Sequence, residues 1–394
     1  MAKRPKELLN TWATITVLEK RILMVSSAFF PGNSPRAHRT TELAKELCRQ
    51  GHHVTVLTPA QRGQNELAGE YGITMLDLGQ PSWPAVPIDF HGKLNLVARA
   101  VRRLSWILFC YPEIELSFLV ARALSSLDRD YDALISIAAP HAVHWGVERA
   151  MRSGHKPARV WVADCGDPFM GQENDSFSPA FYFSWAEKAF CRRADWITVP
   201  TEGAKGGYYP EFLDKLVVIP QGFKFDDYAN LAEVQRKQDG VVRFAFAGLF
   251  IPGKRDPRPL LDYLVSRQEN FEFHVFTKSP TLVEPYARQD SRIILRGFIP
   301  RHELLFELAG MDFLLNIENA GQKQTPSKLI DYWLCRRPIL NIRTQDFEPT
   351  LVSDFISGHY DRALRIENPD QYRIENVARR FVSLLGESDR KADG

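Results

Sequence analysis

The chain has 394 residues, enough for two domains that each bury a core, and its 44% apolar and 25% charged residues are those of an ordinary globular protein. A formal charge of +2 argues against a nucleic-acid partner. Five scattered cysteines (Cys48, Cys110, Cys165, Cys191 and Cys335) show neither Cys-x-x-Cys nor Cys/His ligand spacing, and fit a reducing compartment better than a disulfide framework.

Residues 1–20 form a charged extension without the pattern of a secretory signal. The run RILMVS at 21–26 reads as a buried strand. It is followed by the loop FFPGNSPRAHR, a helix over 37–49, Gly51 and a strand at 54–58. Strand, loop, helix and strand in that order make a βαβ unit and predict parallel pairing. The loop, with Gly32, Ser34 and Arg36, then falls at the carboxyl end of the first strand, where open α/β sheets place ligands. It is neither a GxGxxG fingerprint nor a Walker loop. Arg36, His38 and Arg39 meet either an anionic substrate or solvent.

A strand is expected at 73–78, and residues 94–111 have helical period. That helix carries Arg99, Arg102 and Arg103 beside Trp106, Ile107, Leu108 and Phe109. Such a helix can lie on an anionic membrane surface, or pack its apolar face into the domain and solvate its arginines. The longest apolar run, 104–111, is far short of the ~20 residues of a spanning helix, so a cytoplasmic protein is expected. Asp128-Arg129-Asp130 lies before a strand start and reads as a solvated turn, not a metal-binding Asp-x-Asp.

Residues 133–137 form the next buried strand, which runs into Ala138-Ala139-Pro140-His141, with His144 a helical turn further on. A histidine at the carboxyl end of a parallel strand suits acid–base or oxyanion work; it is equally a common structural residue. A strand at 159–163 ends in Asp164-Cys165-Gly166-Asp167, either ligand-facing carboxylates on the same rim or cap and turn residues. Strands at 196–199 and 216–219 flank a helix beginning near Glu202, and the polar residues 224–240 read as an interdomain connection.

A second series starts with a strand at 242–247, ending in Gly248 before a loop with Gly253, Lys254 and Arg255. Strands at 271–277, 293–295 and 313–317 and a helix at 301–309 lead to TPSKLIDYWLCRRPIL at 325–340. Thr325, a proline, Ser327 and then Lys328 mark a helix N-terminus at a sheet edge. Free N–H groups, the positive dipole end and an ammonium there suit a phosphate or diphosphate, although an ordinary capped helix has the same look. The helix should stop near Arg336-Arg337, with a strand at 338–341. Residues 377–385 read as an amphipathic helix and 387–394 as a frayed polar tail. The fold expected is α/β, two doubly wound Rossmann-like domains facing across a cleft. They span residues 21–222 and 223–370, with a C-terminal helix and tail over 371–394.

Taken in order, several stretches resemble the GT-B glycosyltransferases, family 4 type, of the bacterial surface-polysaccharide kind. RILMVSSAFFPGNSPRAHRTTELAKELCRQGHHVTVLTP is similar to that family's opening unit. YDALISIAAPHAVHWG and WVADCGDPF resemble a branch with a strand-Pro-Pro-His element and then Ala-Asp-Phe-Arg-Asp-Pro-Trp. ADWITVPTEGAKGGY with LVVIPQGFKFD resembles the end of its first domain. FAFAGLF, RGFIPRHELLFELAGMDFLLN and TPSKLIDYWLCRRPIL resemble its donor domain. The likeness covers residues 21–342.

The resemblance implies a nucleotide-sugar donor bound mainly by the second domain and a glycan or lipid-linked acceptor bound mainly by the first. It also implies a retaining hexosyltransferase with no cofactor and no metal. The implied donor-binding residues are Gly248, Lys254, Thr325, Ser327, Lys328 and Asp331, with the lysines on the diphosphate and Asp331 on the ribose. His141 and Asp167 are the implied catalytic pair, and Gly32, Ser34 and Arg36 the acceptor-side loop. The partners expected are therefore the donor, the acceptor and, through residues 94–111, the inner membrane surface, with no nucleic acid. Three positions depart from the pattern: Lys323 stands where the first acid of the donor motif belongs, Leu249 replaces an arginine, and Gly166 replaces the arginine of Asp-Phe-Arg-Asp. Glu318 is the only carboxylate near Lys323. Two other functions remain open: a sugar-nucleotide epimerase of the same fold, and a non-catalytic GT-B partner subunit.

Overall fold

The structure is a computed structural model and describes residues 19–85, 93–127, 130–172, 178–318 and 328–392. Its first sheet contains β1 (Arg21–Ser26), β2 (His53–Thr58), β3 (Thr74–Asp77), β4 (Tyr131–Ile137), β5 (Ala158–Asp164), β6 (Trp196–Val199) and β7 (Leu216–Val218). The helices of this half are α1 (Pro35–Arg49), α2 (Gln64–Tyr71), α3 (Lys93–Phe109), α4 (Glu115–Ser125), α5 (Ala142–Arg152), α6 (Phe183–Arg193) and the short α7 (Glu202–Lys205). The second sheet contains β8 (Val242–Ala247), β9 (Phe271–Phe276), β10 (Ile293–Leu295), β11 (Phe313–Ile317) and β12 (Ile339–Ile342). With it go α8 (Arg258–Val265), α9 (Glu284–Gln289), α10 (Arg301–Ala309), α11 (Lys328–Leu334) and α12 (Pro349–Ile356), and α13 (Ile374–Ala392) is the last described helix.

Every strand pairing is parallel, in the orders β3-β2-β1-β4-β5-β6-β7 and β10-β9-β8-β11-β12. Each sheet is covered on both faces, so its strands are continuous apolar runs. In the second core Phe244 stacks on Phe313 and Phe273, with ring centroids 4.6 and 4.8 Å apart. Strand order reverses between β1 and β4 and between β8 and β11. The carboxyl ends of those strands are the crevices where such sheets bind ligands.

The loop after β1 closes tightly. Gly32 donates its N–H to the Phe29 carbonyl at 2.9 Å, and a Cβ on Gly32 would stand 2.9 Å from that same oxygen. Ser34 then caps α1, accepting from Ala37 N–H at 3.1 Å, with Pro35 at the first helical position.

Two expectations change. Residues 387–392 continue α13 and are not a frayed tail. This helix also belongs to the first domain. Val377, Ala378 and Phe381 share a core with Ile22 and Met24, and Trp196 Nε1 donates to the Leu384 carbonyl at 3.0 Å. The chain therefore crosses between domains twice. The crossings lie side by side: Phe223 N–H donates to the Tyr372 carbonyl at 2.8 Å, and Ile374 N–H to the Phe223 carbonyl at 2.9 Å.

On α3, Val97, Val101, Leu104 and Leu108 recur at successive turns as an exposed stripe, and do not face the domain. Arg99 and Arg102 are exposed too, but roughly half a helical turn away from that stripe.

Candidate active site

At the end of β8, Gly248 has φ +147°, a backbone conformation that side chains rarely adopt. A Cβ there would stand 4.0 Å from Lys328 Nζ. Lys328 opens α11 as described, and its ammonium lies 4.5 Å from the Phe246 ring centroid and 5.9 Å from that of Tyr332. Tyr332 is fixed in turn, its hydroxyl accepting from Ala247 N–H at 2.9 Å. Among the described residues, the buried Lys328 Nζ has no hydrogen-bond partner. Burial, and then the Arg255 guanidinium, push its pKa well below the ordinary 10.5. A buried, unpartnered ammonium beside a second cation is poised for an anion that completes it.

Lys254, the residue assigned to the diphosphate by resemblance, is exposed in its loop. The next residue, Arg255, is the one in the field of Lys328, and its Nη1 donates to the Leu249 carbonyl at 3.1 Å. Thr325 and Ser327 lie outside the described residues, as does Lys323.

Asp331 sits one turn along α11 from Lys328 and is not a lone acid. Its Oδ1 accepts from Arg301 Nε at 3.1 Å and also from Arg301 Nη2. Arg301 Nη1 donates to the Tyr228 hydroxyl, and the guanidinium lies 5.1 and 4.9 Å from the Phe223 and Tyr228 ring centroids. Burial raises the Asp331 pKa and Arg301 opposes that rise. His38 on α1 lies within electrostatic reach of both Arg301 and Asp331, so the start of the first-domain helix faces this donor-domain pair. Glu318, at the end of β11, accepts from Asn341 Nδ2 and Arg343 Nε.

On the first-domain side, His141 stands at the N-cap of α5, 7% exposed, its ring centroid 5.3 Å from that of Phe169. Burial and the Arg36 charge push its pKa down to about 4, against a hydrogen bond to the Asp167 backbone that favours the protonated ring. Among the described residues, the buried Nε2 has no hydrogen-bond partner. A neutral ring has one N–H and one lone pair, so Nε2 is a polar atom left for a ligand to meet. Asp167 serves His141 through its backbone, while its own side chain is exposed.

His144 has a structural part. Trp161 Nε1 donates to Ser136 Oγ at 2.7 Å, which leaves the serine hydrogen for His144 Nδ1 at 2.8 Å. His144 Nε2 then donates to Cys165 Sγ at 3.3 Å. Asp164 is structural as well, bound by Arg39 on both carboxylate oxygens.

The structure thus brings Gly248, Lys328 and Arg255 together on one side, and Arg36, His141 and the Asp167 backbone on the other. Sequence reading missed Arg301 and Tyr228, which meet Asp331 only through tertiary packing. Among the described residues, no three His, Cys, Asp or Glu side chains are grouped to hold a metal ion.

Residues 37–222 match the model of the glycosyl transferase 4-like domain. No curated protein matches the chain by sequence. Solved structures do match over almost its whole length. A glycosyltransferase from Rickettsia africae ESF-5 is 11% identical, covering 93% of this chain and 98% of its own, with a TM-score of 0.61. Anabaena Alr3699/HepE, solved in complex with UDP and glucose, is 13% identical over 95% of this chain and 100% of its own, with a TM-score of 0.53. UDP-GlcNAc 2-epimerase from Methanocaldococcus jannaschii is 11% identical over 93% and 99%, with a TM-score of 0.52. The chain has the GT-B fold of two Rossmann-like domains. Residues 37–222, within its first domain, are similar to the glycosyl transferase 4-like domain.

Proposed function

We propose that the chain is a glycosyltransferase that moves a sugar from a nucleotide-sugar donor to a glycan or lipid-linked acceptor, with retention of configuration and without a metal. The observation that carries this reading is Lys328, buried at the carboxyl end of β8 with no hydrogen-bond partner among the described residues and with Arg255 beside it. As a glycosidic bond breaks, the leaving diphosphate gains charge. Cations already in place and shielded from water stabilise that charge. Asp331, steadied by Arg301, is left to meet the ribose, and His141 Nε2 can accept a hydrogen bond from a sugar hydroxyl. The first domain holds the acceptor, and closing the cleft brings the two reactants together.

HepE with UDP and glucose supports this reading, and the archaeal epimerase supports its rival. An epimerase needs carboxylates at the sugar. In the described site Asp331 and Glu318 are each bound by an arginine, which favours transfer. A non-catalytic partner would have no use for a desolvated ammonium. No described helix is long and apolar enough to cross a membrane. A lipid-linked acceptor would reach the protein at a cytoplasmic membrane surface, where the α3 stripe is the face available for contact.

The test is donor-dependent release of nucleoside diphosphate. Release that rises with acceptor supports transfer. An isomerised sugar formed without acceptor supports the epimerase, and neither product from a folded chain supports the non-catalytic subunit.

A further inference from the structure

Gly166 has no side chain, and the guanidinium of Arg36 lies where one would begin. A Cβ built on Gly166 would collide with Arg36 Nη2 and stand 2.6 Å from its Cζ. Gly166 is also the position at which the stretch Asp164-Cys165-Gly166-Asp167 lacks the arginine of the element it resembles. A cation absent from this loop therefore arrives from the second residue of α1. Among the described residues, no carboxylate pairs with Arg36. The backbone of the adjoining Asp167 neighbours His141, whose buried Nε2 has no partner among the described residues. Around this loop, among the described residues, lie a guanidinium without a carboxylate partner and, within its field, an imidazole nitrogen without a hydrogen-bond partner.

We propose that Arg36 and His141 form a two-point site for an acceptor sugar that bears an oxyanion, Arg36 holding the anion and His141 Nε2 accepting a hydrogen bond from a hydroxyl. The acceptor class rests on the transfer reading above; the site itself does not. Arginine suits a phosphate or carboxylate because its planar fork pairs with two oxygens. Lys328 and Arg255 already serve the donor diphosphate, so the anion at Arg36 belongs to the other substrate. The glycine is part of the device, since any side chain at 166 displaces the guanidinium. That displacement moves only the far end of a flexible side chain, so Gly166→Ala keeps the fold and loses the site.

The experiment follows the His141 imidazole resonances of the full chain by NMR, with glucose 1-phosphate, glucose or UDP added. Glucose 1-phosphate should shift them saturably and at a concentration at least tenfold lower than glucose. Arg36→Ala and Gly166→Ala should each weaken that response at least tenfold. Gly166→Arg in the Arg36→Ala background should regain most of it, which a merely structural role for Arg36 would not produce. Without ligand, Arg36→Ala should also raise the pH at which His141 titrates.

No response to glucose 1-phosphate, or an equal response in Arg36→Ala, overturns the site. UDP that shifts His141 and displaces glucose 1-phosphate gives the anion to the donor and overturns the acceptor assignment. Nucleoside diphosphate release by a protein whose His141 stays silent removes this site and leaves the transfer reading standing. A responsive His141 without release does the reverse.

Discussion

Arg39 on α1 and Asp164 at the end of β5, 125 positions apart, form a two-pronged ion pair with both bonds at 2.9 Å and their side chains only 3% and 2% exposed. The same guanidinium donates to the carbonyls of Ile219 and Pro220 and lies 5.1 Å from the Phe381 ring centroid. Thr198 Oγ1 adds a hydrogen bond to Asp164 at 2.7 Å. One pair therefore ties α1, β5, β6, the first domain's exit and α13 together. Arg39→Ala leaves a buried carboxylate uncompensated and should cost about 3–5 kcal/mol in urea unfolding. Arg39→Met with Asp164→Leu should recover much of that loss, since the pair's removal leaves no lone charge. A small effect of Arg39→Ala alone would show that the network is not held by this pair.

The two buried histidines predict acid sensitivity. The folded pKa of His141 lies at about 4, below the ordinary 6.5. As pH falls below 6.5 the unfolded chain takes up a proton that the folded chain refuses, so stability drops until pH passes the folded value. At 1.36 kcal/mol per unit the loss from this residue is about 3 kcal/mol. His144, held below its ordinary value by burial, has the same sign. Unfolding free energies at pH 7, 5.5 and 4.5 should show the decline, and His141→Gln should flatten it. An unchanged slope in that variant would place the charged form of His141 in the folded chain.

Lys328→Ala should weaken nucleoside diphosphate by roughly 1.5–3 kcal/mol, ten- to a hundredfold, and leave the bare nucleoside nearly unaffected. Asp331→Ala should weaken both alike and remove any preference for ribose over 2′-deoxyribose. It also strips Arg301 of its carboxylate, so Asp331→Asn is the gentler control. Because burial and Arg255 depress the Lys328 pKa, an arriving diphosphate restores the ammonium, and binding takes up a proton at alkaline pH. Calorimetry in buffers of different ionisation enthalpy measures that uptake, which Lys328→Ala should abolish. Equal weakening of nucleoside and diphosphate by Lys328→Ala would move the diphosphate elsewhere.

Metal dependence offers a simple check. With Lys328 and Arg255 carrying the leaving-group charge, sugar transfer should survive EDTA. Complete loss, restored by magnesium or manganese, would contradict this electrostatic scheme.

If α3 meets lipid, the protein should sediment with anionic vesicles at low salt and be released at high salt. Leu104→Glu, in the centre of the exposed stripe, should abolish sedimentation without changing nucleotide affinity. Identical behaviour with neutral and anionic vesicles would remove any role for Arg99 and Arg102.

Much of the architecture could be read from residue order. The strands at 242–247, 293–295 and 313–317 and the helix at 301–309 have the bounds expected of them, because a strand buried on both faces is an apolar run with polar or glycine edges. Helix α2 went unread for a physical reason: it buries only Gln64 and Ala68, so it has no apolar period, and glycines stand at both ends. Helix α4 emerges directly from a preceding turn and α6 from Tyr182, neither with a side-chain cap to mark the start. At the site, Lys328 was legible because the pattern that flags it, Thr325-Pro-Ser327-Lys328 before an apolar helical period, is local in sequence. The choice of Arg255 over Lys254, the grip of Arg301 on Asp331 and the lodging of Arg36 on Gly166 depend on packing between distant segments, which no spacing records.

The two chain crossings beside Phe223 and Arg373 also have a mechanical meaning. A body joined to its neighbour by two adjacent strands keeps one easy motion, rotation about the line through them, whereas sliding and twisting would shear the paired backbone. Such a rotation would carry Lys328 toward and away from His141 along one arc. In the proposed transfer, the cations for the leaving group and the residues for the incoming sugar would meet in an alignment set by the paired backbone at this pivot.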